Sequence, residues 1–575
     1  MIFINSMYFH PDNMVRTRFA SFDKTRKRDP FKLIFRTGGF YCLMLIQFLS
    51  TSTVAAQSVP RDEQYKKRPT NAIAAIARGK VDEAIFNLEN FLKDFPNDAE
   101  SNYCMALAHA VQNHIGDAMP YVEKALEAGM PIERFFAGPR GLTKNLVESN
   151  EFSRFAEGRF ARLIHGPMLG DVTSTSAKVW VRTHREAKVA IKLSDIYGRP
   201  IDRFESGTQK KNDFTSVVEI RELQPATKYR YSVFVDGTLL FEDGTFKTNV
   251  REGRPCQFKV GFGGGAGYTP WHERMWDTLA VQSFEAFLLL GDNVYIDYPE
   301  VPEAQEYCYY RRQSRPEFRR FSSKVPVYAI WDDHDFTVND GEGGPEIESP
   351  AWKIPVWNVF RNQWVNPYYG GGGTQPGCWF DFSIGDVDFI VLDCRYYREH
   401  PKEFDRPSML GEYQKTWLKE KLKASTATFK VVASSVPWAM NTKPGSDDTW
   451  DGFPEEREEL FSFIEENTIQ GVILISADRH RSDAWKIARA NGYDLYDFMS
   501  SRLTNIHTHD LMSGSLFGYN KKCSFGTLEF DTTSEDPAVT YSIRSIDNEE
   551  IHKLTVYRSQ LDFKPDKVKN KKGRK

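Results

Sequence analysis

Phe284-Glu285-Ala286-Phe287-Leu288-Leu289-Leu290-Gly291-Asp292-Asn293-Val294-Tyr295 is a mostly apolar run that stops at a glycine and an aspartate, with a tyrosine three residues further on. The run has the length of a buried strand, so Asp292 is expected where a strand meets its loop. The pattern recurs twice. Val325 to Trp331 leads into Asp332-Asp333-His334-Asp335, and Gly471 to Ser476 leads into Ala477-Asp478-Arg479-His480. In open α/β sheets, ligands bind outside the carboxyl ends of the strands. Carboxylate and imidazole donors suit Fe, Mn, Zn, Mg or Ca, and three such loops together predict a site for two ions. One loop alone would be ordinary, because Asp after a strand often caps a helix and Gly-Asp is a common turn. The conjunction carries the inference.

A chain of 575 residues is expected to form two or three domains. Charged residues make up 27% and hydrophobic residues 41%, the balance of a soluble globular protein, while 14% aromatics favour β-rich packing. A net charge of -3 argues against a general nucleic-acid binder. Arg16, Arg18, Lys24, Arg26, Lys27, Arg28, Lys32 and Arg36 form a basic lead. Gly38 to Leu49 is apolar but too short to span a bilayer, and Thr53-Val54-Ala55-Ala56 offers small residues for cleavage. Residues 1–56 therefore read as a signal peptide, leaving a periplasmic or secreted mature chain with no stable membrane span. An uncleaved anchor is the alternative. Without Cys42, the remaining Cys104, Cys256, Cys308, Cys378, Cys394 and Cys523 make no CxxC pair and suggest neither a zinc knot nor a dense disulfide framework.

Residues 66–135 follow a helical pattern that repeats. Ala84 is matched thirty-four positions later by Ala118, and Pro96 at nearly that interval by Pro131. This resembles a pair of tetratricopeptide repeats; two units are marginal alone, so the helices are expected to pack on the next domain or bind a protein partner. Over residues 164–250 the texture alternates, as in Ala177-Lys178-Val179-Trp180-Val181-Arg182-Thr183, which predicts a β-sandwich. Leu223 to Tyr231 resembles the corner before a late strand in fibronectin type III-like domains. Residues 251–547 alternate strand-like and helix-like segments and form the α/β catalytic candidate. Residues 564–575, rich in lysine with almost no apolar anchor, predict a basic disordered tail.

Five blocks in order carry a family resemblance across roughly Ile164 to Ile543: Leu290 to Tyr295; Ile330 to Phe336 with Asn339-Asp340; Val391-Leu392-Asp393-Cys394-Arg395-Tyr396-Tyr397-Arg398; Asp448 to Pro454; and Ser476 to His480. The chain resembles the PhoD-like alkaline phosphatases and phosphodiesterases of the metallophosphoesterase superfamily. The resemblance implies a four-layer αββα catalytic domain and hydrolysis of phosphate mono- or diesters, with metal-bound hydroxide attacking phosphorus. It implies that Asp292 bridges two cations, that Tyr295 is a phenolate ligand, that Asp333 and Asn339 are oxygen ligands of the second site, and that Asp478 and His480 are the last ligand pair. His334 would steady the phosphate or protonate the leaving group. Arg395 and Arg398 would clamp the phosphate, and Asp332 and Asp335 would orient their neighbours. Core packing for Tyr295 and a surface salt bridge for Arg398 are the alternatives.

The chain departs from the family at one ligand. Where the family commonly has Cys within Phe-Gly-Ser-Cys-Ala, this chain reads Phe262-Gly263-Gly264-Gly265-Ala266-Gly267, placing Gly265 at the thiolate position. The expected cofactors are therefore two metal ions, calcium with iron or with another divalent transition metal, because a lost soft ligand weakens the case for iron. His272, His507 and His509 are further unassigned donors. The glycine run lacks the spacing of a dinucleotide fingerprint, and close backbone approach is the simpler reading. A second function stays open: a non-catalytic export-side binding protein with a degenerate metal site, using its helices and sandwich to hold a partner.

Overall fold

The computed structural model describes residues 67–563. The signal expected at residues 1–56 and the tail expected at residues 564–575 lie outside the described residues.

Helices come first: Arg68–Ala77, Val81–Asp94, Ala99–Val111 and Ile115–Glu127, then the shorter Glu133–Ala137, Arg140–Val147 and Asn150–Ala156. In Val81–Asp94 the buried Val81, Ala84 and Leu88 recur every three or four residues, while Asp82 and Glu83 complement the positive end of the first turn. Ala99–Val111 is buried along nearly its whole length and starts at Asp98, whose side chain accepts from the Ser101 N–H at 2.8 Å. The apolar residues of these helices belong to the same core as the α/β region that follows residue 251. Polar ties reinforce the junction. Buried Glu100 accepts from Arg134 Nη2 at 3.0 Å and from Tyr307 Oη at 2.6 Å, and Thr70 Oγ1 lies 3.4 Å from Cys308 Sγ. Tyr307 and Cys308 belong to the helix Pro302–Gln313 of the α/β region.

Seven strands follow: β1 (Leu163–Gly170), β2 (Ala177–Thr183), β3 (Ala187–Asp195), β4 (Pro200–Thr208), β5 (Thr215–Ile220), β6 (Lys228–Val235) and β7 (Thr238–Lys247). They form two antiparallel sheets, β1-β2-β5 and β4-β3-β6-β7. In β6, Tyr229, Tyr231, Val233 and Val235 are buried and alternate with more exposed residues, as a strand with one covered face requires. The inward residues make a core of their own. The corner before β6 closes where Tyr229 Oη accepts from the Gln224 N–H at 2.9 Å.

Thirteen further strands are β8 (Gln257–Gly263), β9 (Ala286–Leu290), β10 (Val327–Ile330), β11 (Phe380–Ile384), β12 (Val387–Val391), β13 (Phe429–Ala433), β14 (Val472–Ser476), β15 (Ser482–Ile487), β16 (Leu495–Ser500), β17 (Phe517–Tyr519), β18 (Ser524–Asp531), β19 (Ala538–Ser545) and β20 (Glu550–Tyr557). One sheet runs β10-β9-β8-β18-β19-β20 and the other β11-β12-β13-β14-β16-β15-β17. Strands β8, β9 and β10 are mutually parallel, as are β12, β13, β14 and β16. β9 and β14 are buried throughout, as parallel strands covered on both faces must be. The sheets pack face to face through aromatic rings: Phe389 of β12 lies 6.0 Å from Phe530 of β18, and Phe498 of β16 stacks at 4.5 Å on Tyr541 of β19. The helix Pro316–Ser322 covers the first sheet, with Phe321 against Phe287 of β9. The helix Gly411–Ala424 is tied to the second through Gln414, whose amide exchanges hydrogen bonds with the backbone of Asp393 just beyond β12. Among the described residues, no helix is long and apolar enough to cross a membrane.

Candidate metal centre

The loops that leave the carboxyl ends of the parallel strands meet between the two sheets. Asp292 follows β9, Asp332 to Asp335 follow β10, Arg395 follows β12, Asp478 and His480 follow β14, and Asn505 follows β16. Asp292, Asp478 and His480 hold φ values of 54°, 64° and 45°, a region that side-chain-bearing residues enter at a cost of about 1–2 kcal/mol each. The Asp478 loop turns twice in succession, with Arg479 N–H to Ala477 O at 2.9 Å and His480 N–H to Asp478 O at 2.8 Å. Glycine makes the crowding feasible. A Cβ at Gly264 would meet Ala477 Cβ at 2.8 Å and Gly291 O at 3.0 Å, and one at Gly267 would meet Tyr295 Cε2 at 3.0 Å. Gly265 does face His480, but at φ 67°, where an added Cβ would lie 2.9 Å from the Arg502 backbone N and 3.2 Å from His480 Cδ2.

Three groups of donors overlap. Tyr295 Oη donates to Asp292 Oδ2 at 2.7 Å, lies 2.9 Å from His480 Nε2, and accepts from Asn505 Nδ2 at 2.6 Å. Asp292, Asp333 and His334 bring donor atoms within 4.8 Å of one another, and so do Asp333, Asp340 and Asp448. His334 stacks its ring 4.2 Å from that of Tyr295, and its Nδ1 binds Asp297 Oδ1 at 2.5 Å. The other Asp297 oxygen is 3.1 Å from Lys67 Nζ, at the entrance to the first helix. Burial alone would lower the His334 pKa, but Asp333, Asp292 and Asp297 carry it up to about 10.

The carboxylates are crowded beyond what their basic neighbours neutralise. Burial pushes Asp292 well above the usual carboxylate range despite His334, and Asp333, Asp332 and Asp335 push it further. Asp332 rises to about 8 and Asp335 to about 7, each mainly through burial, and Asp478 is raised as well. Asp448 and Asp333 are the exceptions: against their burial, Arg395, Arg398 and Lys443 hold Asp448 well below the ordinary value, and His334 and Arg395 lower Asp333. Asp292 Oδ1, Asp332 Oδ2 and Asp478 Oδ2 are buried with no hydrogen-bond partner among the described residues. Buried carboxylate oxygens left this way are costly, and cations coordinated by oxygen and imidazole relieve the cost. The residues present therefore fit a pair of metal ions.

Asp292, Tyr295, Asp333, His334, Asp478 and His480 come together, but two expectations change. Arg395, expected to clamp the phosphate, turns toward the carboxylate loops, with Nη2 buried and no hydrogen-bond partner to it among the described residues. Its side chain is fully buried and donates to Asp332, to Asp448 Oδ1 at 2.7 Å and to Gly341 O at 3.1 Å, so its guanidinium serves the carboxylate loops beneath the site. Arg398 likewise donates to the Asp448 and Asp447 carbonyls, both at 3.1 Å. Asn339 stands exposed on its turn, and the neighbouring Asp340 is the residue grouped with Asp333 and Asp448. Lys443 Nζ donates to Asp340 Oδ1 at 2.7 Å and to Asp448 Oδ2 at 3.0 Å. His272 bonds the Thr504 carbonyl through Nδ1 at 3.0 Å, with Cys523 Sγ at 3.3 Å. His507 Nε2 and His509 Nε2 are 3.1 Å apart, close to His480. Sequence reasoning missed Lys67, Asp297, Lys443 and Asn505, and left Asp340 without a role inside a recognised block. Asp448 stood in a recognised block, but nothing local marked its partner.

Carboxylates, imidazoles and a phenol gathered at the ends of parallel strands from two packed sheets define a metal-binding α/β hydrolase architecture. The model of the PhoD-like phosphatase family matches residues 260–555, and that of a domain of unknown function (DUF7800) matches residues 160–251. The chain is 25% identical over 377 residues to alkaline phosphatase D of Bacillus subtilis (strain 168), across 55% of this chain and 64% of that protein, so it spans less than two thirds of that relative. Its fold is similar to that of PhoD, with a TM-score of 0.58 and 16% identity over 69% of this chain and 90% of the other. It is also similar to purple acid phosphatase PPD1 from yellow lupin (Lupinus luteus) seeds, with a TM-score of 0.50 and 12% identity over 69% of this chain and 76% of the other. The chain belongs to the PhoD-like phosphatase family.

Proposed function

We propose that the protein is an exported, metal-dependent hydrolase of phosphate mono- or diesters. The observation that carries this reading is the set of three buried carboxylate oxygens on Asp292, Asp332 and Asp478 that accept no hydrogen bond among the described residues, beside the His334 imidazole. Asp292, Tyr295 and His480 would hold one cation, and Asp292, Asp333 and Asp478 the other, with Asn339 or Asp340 at its edge. Calcium with iron, or with another divalent transition metal, is the proposed pair. Once bound, such ions polarise the phosphate and make water a nucleophile near neutral pH.

The chain's own residues supply the rest. His334 is fixed through Nδ1 by Asp297, which leaves its other nitrogen to protonate the departing oxygen as its bond to phosphorus breaks. Asp335 accepts from the N–H groups of Asn293 at 3.2 Å, Val294 at 3.1 Å and Asp332 at 3.1 Å, locking the β9 and β10 loops together. Arg395 joins the β10 loop to the Asp448 segment. We read the helical layer as a tetratricopeptide-like pair and docking surface for a protein partner, supported by buried Ala84 and Ala118 in its second and fourth helices. The fibronectin III-like reading of the sandwich is supported by the Tyr229 corner. Export is proposed from the basic lead and small-residue cleavage stretch within residues 1–56.

The test is turnover of 4-nitrophenyl phosphate and bis(4-nitrophenyl) phosphate by protein of measured metal content, before and after chelation. Loss on chelation and recovery on metal return are expected. If protein carrying two ions turned over neither ester, the degenerate binding-site reading would replace this one.

A further inference from the structure

We propose that Arg479 grips the phosphate of the substrate, in an anion pocket that His509 and His507 complete. The proposal rests on the hydrolase reading above and replaces Arg395 in the clamping role. Arg479 lies between Asp478 and His480 in the tightest turn of the site, and its residue is 6% exposed. Its Nη2 donates to His509 Nδ1 at 3.0 Å, its Nη1 is 3.6 Å from Asp478 Oδ2, and its Nε is buried with no hydrogen-bond partner among the described residues.

The direction of these bonds decides between a cation and an anion. A guanidinium can only donate, so His509 Nδ1 accepts, and the neutral ring carries its proton on Nε2. That proton points to His507 Nε2, 3.1 Å away. His480, His507 and His509 do bring ring nitrogens within 4.8 Å of one another, a spacing that suits a metal. A metal on His509 Nε2 would, however, push the proton onto Nδ1, against the Arg479 donor. The histidine pair instead orients a buried positive charge.

That charge lacks a full counter-ion. Its nearby carboxylate, Asp478, is a proposed cation ligand, and a carboxylate committed to a metal no longer balances a guanidinium. An incoming phosphate would restore the balance and match the fork of donors on Arg479. The other basic groups already carry carboxylate partners: Arg395 binds Asp332 and Asp448 through Nε and Nη1, and Lys443 binds Asp340 and Asp448.

The experiment compares wild type with Arg479→Lys, Arg479→Ala and His509→Phe, each at measured metal content. It reads the rise in thermal midpoint caused by inorganic phosphate, together with kcat and KM for 4-nitrophenyl phosphate. Midpoints without phosphate report whether each variant is folded, and Arg479→Lys keeps the charge should the alanine variant fail to fold. Both Arg479 variants should weaken phosphate binding about 10- to 100-fold, the worth of one charge-assisted contact, with KM rising in step. His509→Phe should produce a smaller change in the same direction. Phosphate affinity and KM within twofold of wild type in both Arg479 variants would overturn the proposal. A third metal per chain that disappears in His509→Phe would overturn it in favour of a cation site. Should wild type hydrolyse neither ester, the hydrolase reading fails separately, and the phosphate-induced midpoint shift still decides the pocket.

Discussion

Replacing Gly265 isolates what the site demands of its backbone. Gly265 has φ 67° and Gly79 has φ 77°. At either position an L side chain costs about 1–2 kcal/mol for the left-handed conformation. A Cβ at Gly79 meets nothing within 4 Å, whereas one at Gly265 lies 2.9 Å from Arg502 N, 3.0 Å from Ser501 Oγ and 3.2 Å from His480 Cδ2. Overpacking against rigid neighbours adds about 1–3 kcal/mol. Gly265→Ala should therefore cost about 2–5 kcal/mol and Gly79→Ala about 1–2 kcal/mol, the two sharing the conformational part. Urea unfolding of both variants at equal metal loading measures the difference. Gly265→Cys should carry the same penalty and shift the Thr504–Asn505 backbone, whose N–H groups bond Gly265 O at 3.3 and 3.1 Å. Added thiolate chemistry would thus arrive with lower metal occupancy instead of a ready iron site. Equal stability of the two alanine variants, or full iron occupancy in an undestabilised Gly265→Cys, would refute the reasoning.

Asp292→Asn and His480→Ala should each abolish ester turnover while the far-ultraviolet circular dichroism spectrum stays unchanged; near-normal kcat in either removes that ligand from the scheme. Asp297→Asn should lower kcat about 10- to 100-fold, as the loss of a group that orients a working imidazole does, with KM little changed. Glu100→Ala strands buried Arg134 and should cost about 3–5 kcal/mol in denaturant unfolding. His165 is held well below the ordinary histidine pKa by burial and by Arg182, whose Nη1 is 2.8 Å from its Nδ1. The folded ring therefore stays neutral where the unfolded one takes a proton, so its contribution is full above about pH 6.5 and declines as pH falls. His165→Gln should flatten the acid side of a stability–pH curve, and an unchanged slope would dismiss the assignment.

What was legible in the sequence is what strands encode locally. An apolar run ending in Asp or His announces a loop at a sheet's edge, and Asp292, Asp333, His334, Asp478 and His480 all met there. The direction of Arg395 was not legible, because an arginine in such a loop carries no mark of it, and here Nε and Nη1 turn to carboxylates from two other loops. Asp297 and Lys67 were invisible for a related reason: Asp297 meets His334 only because the β9 and β10 loops lie side by side, and Lys67 reaches Asp297 from the entrance to a helix far away in sequence. The sequence put Gly265 at the thiolate position of the family; its closeness to His480 and its left-handed φ required coordinates.

The bond between Thr70 and Cys308 joins residues 238 positions apart. At translation rates of about 5–20 residues per second, the helical layer waits roughly 10–50 s for the surface it packs against. Through that interval, residues such as Ile73, Leu107 and Phe135, fully buried in the finished protein, have only the other helices of the layer to pack on. Until the helix Pro302–Gln313 is made, the helices cover one another but not the face that this later segment closes.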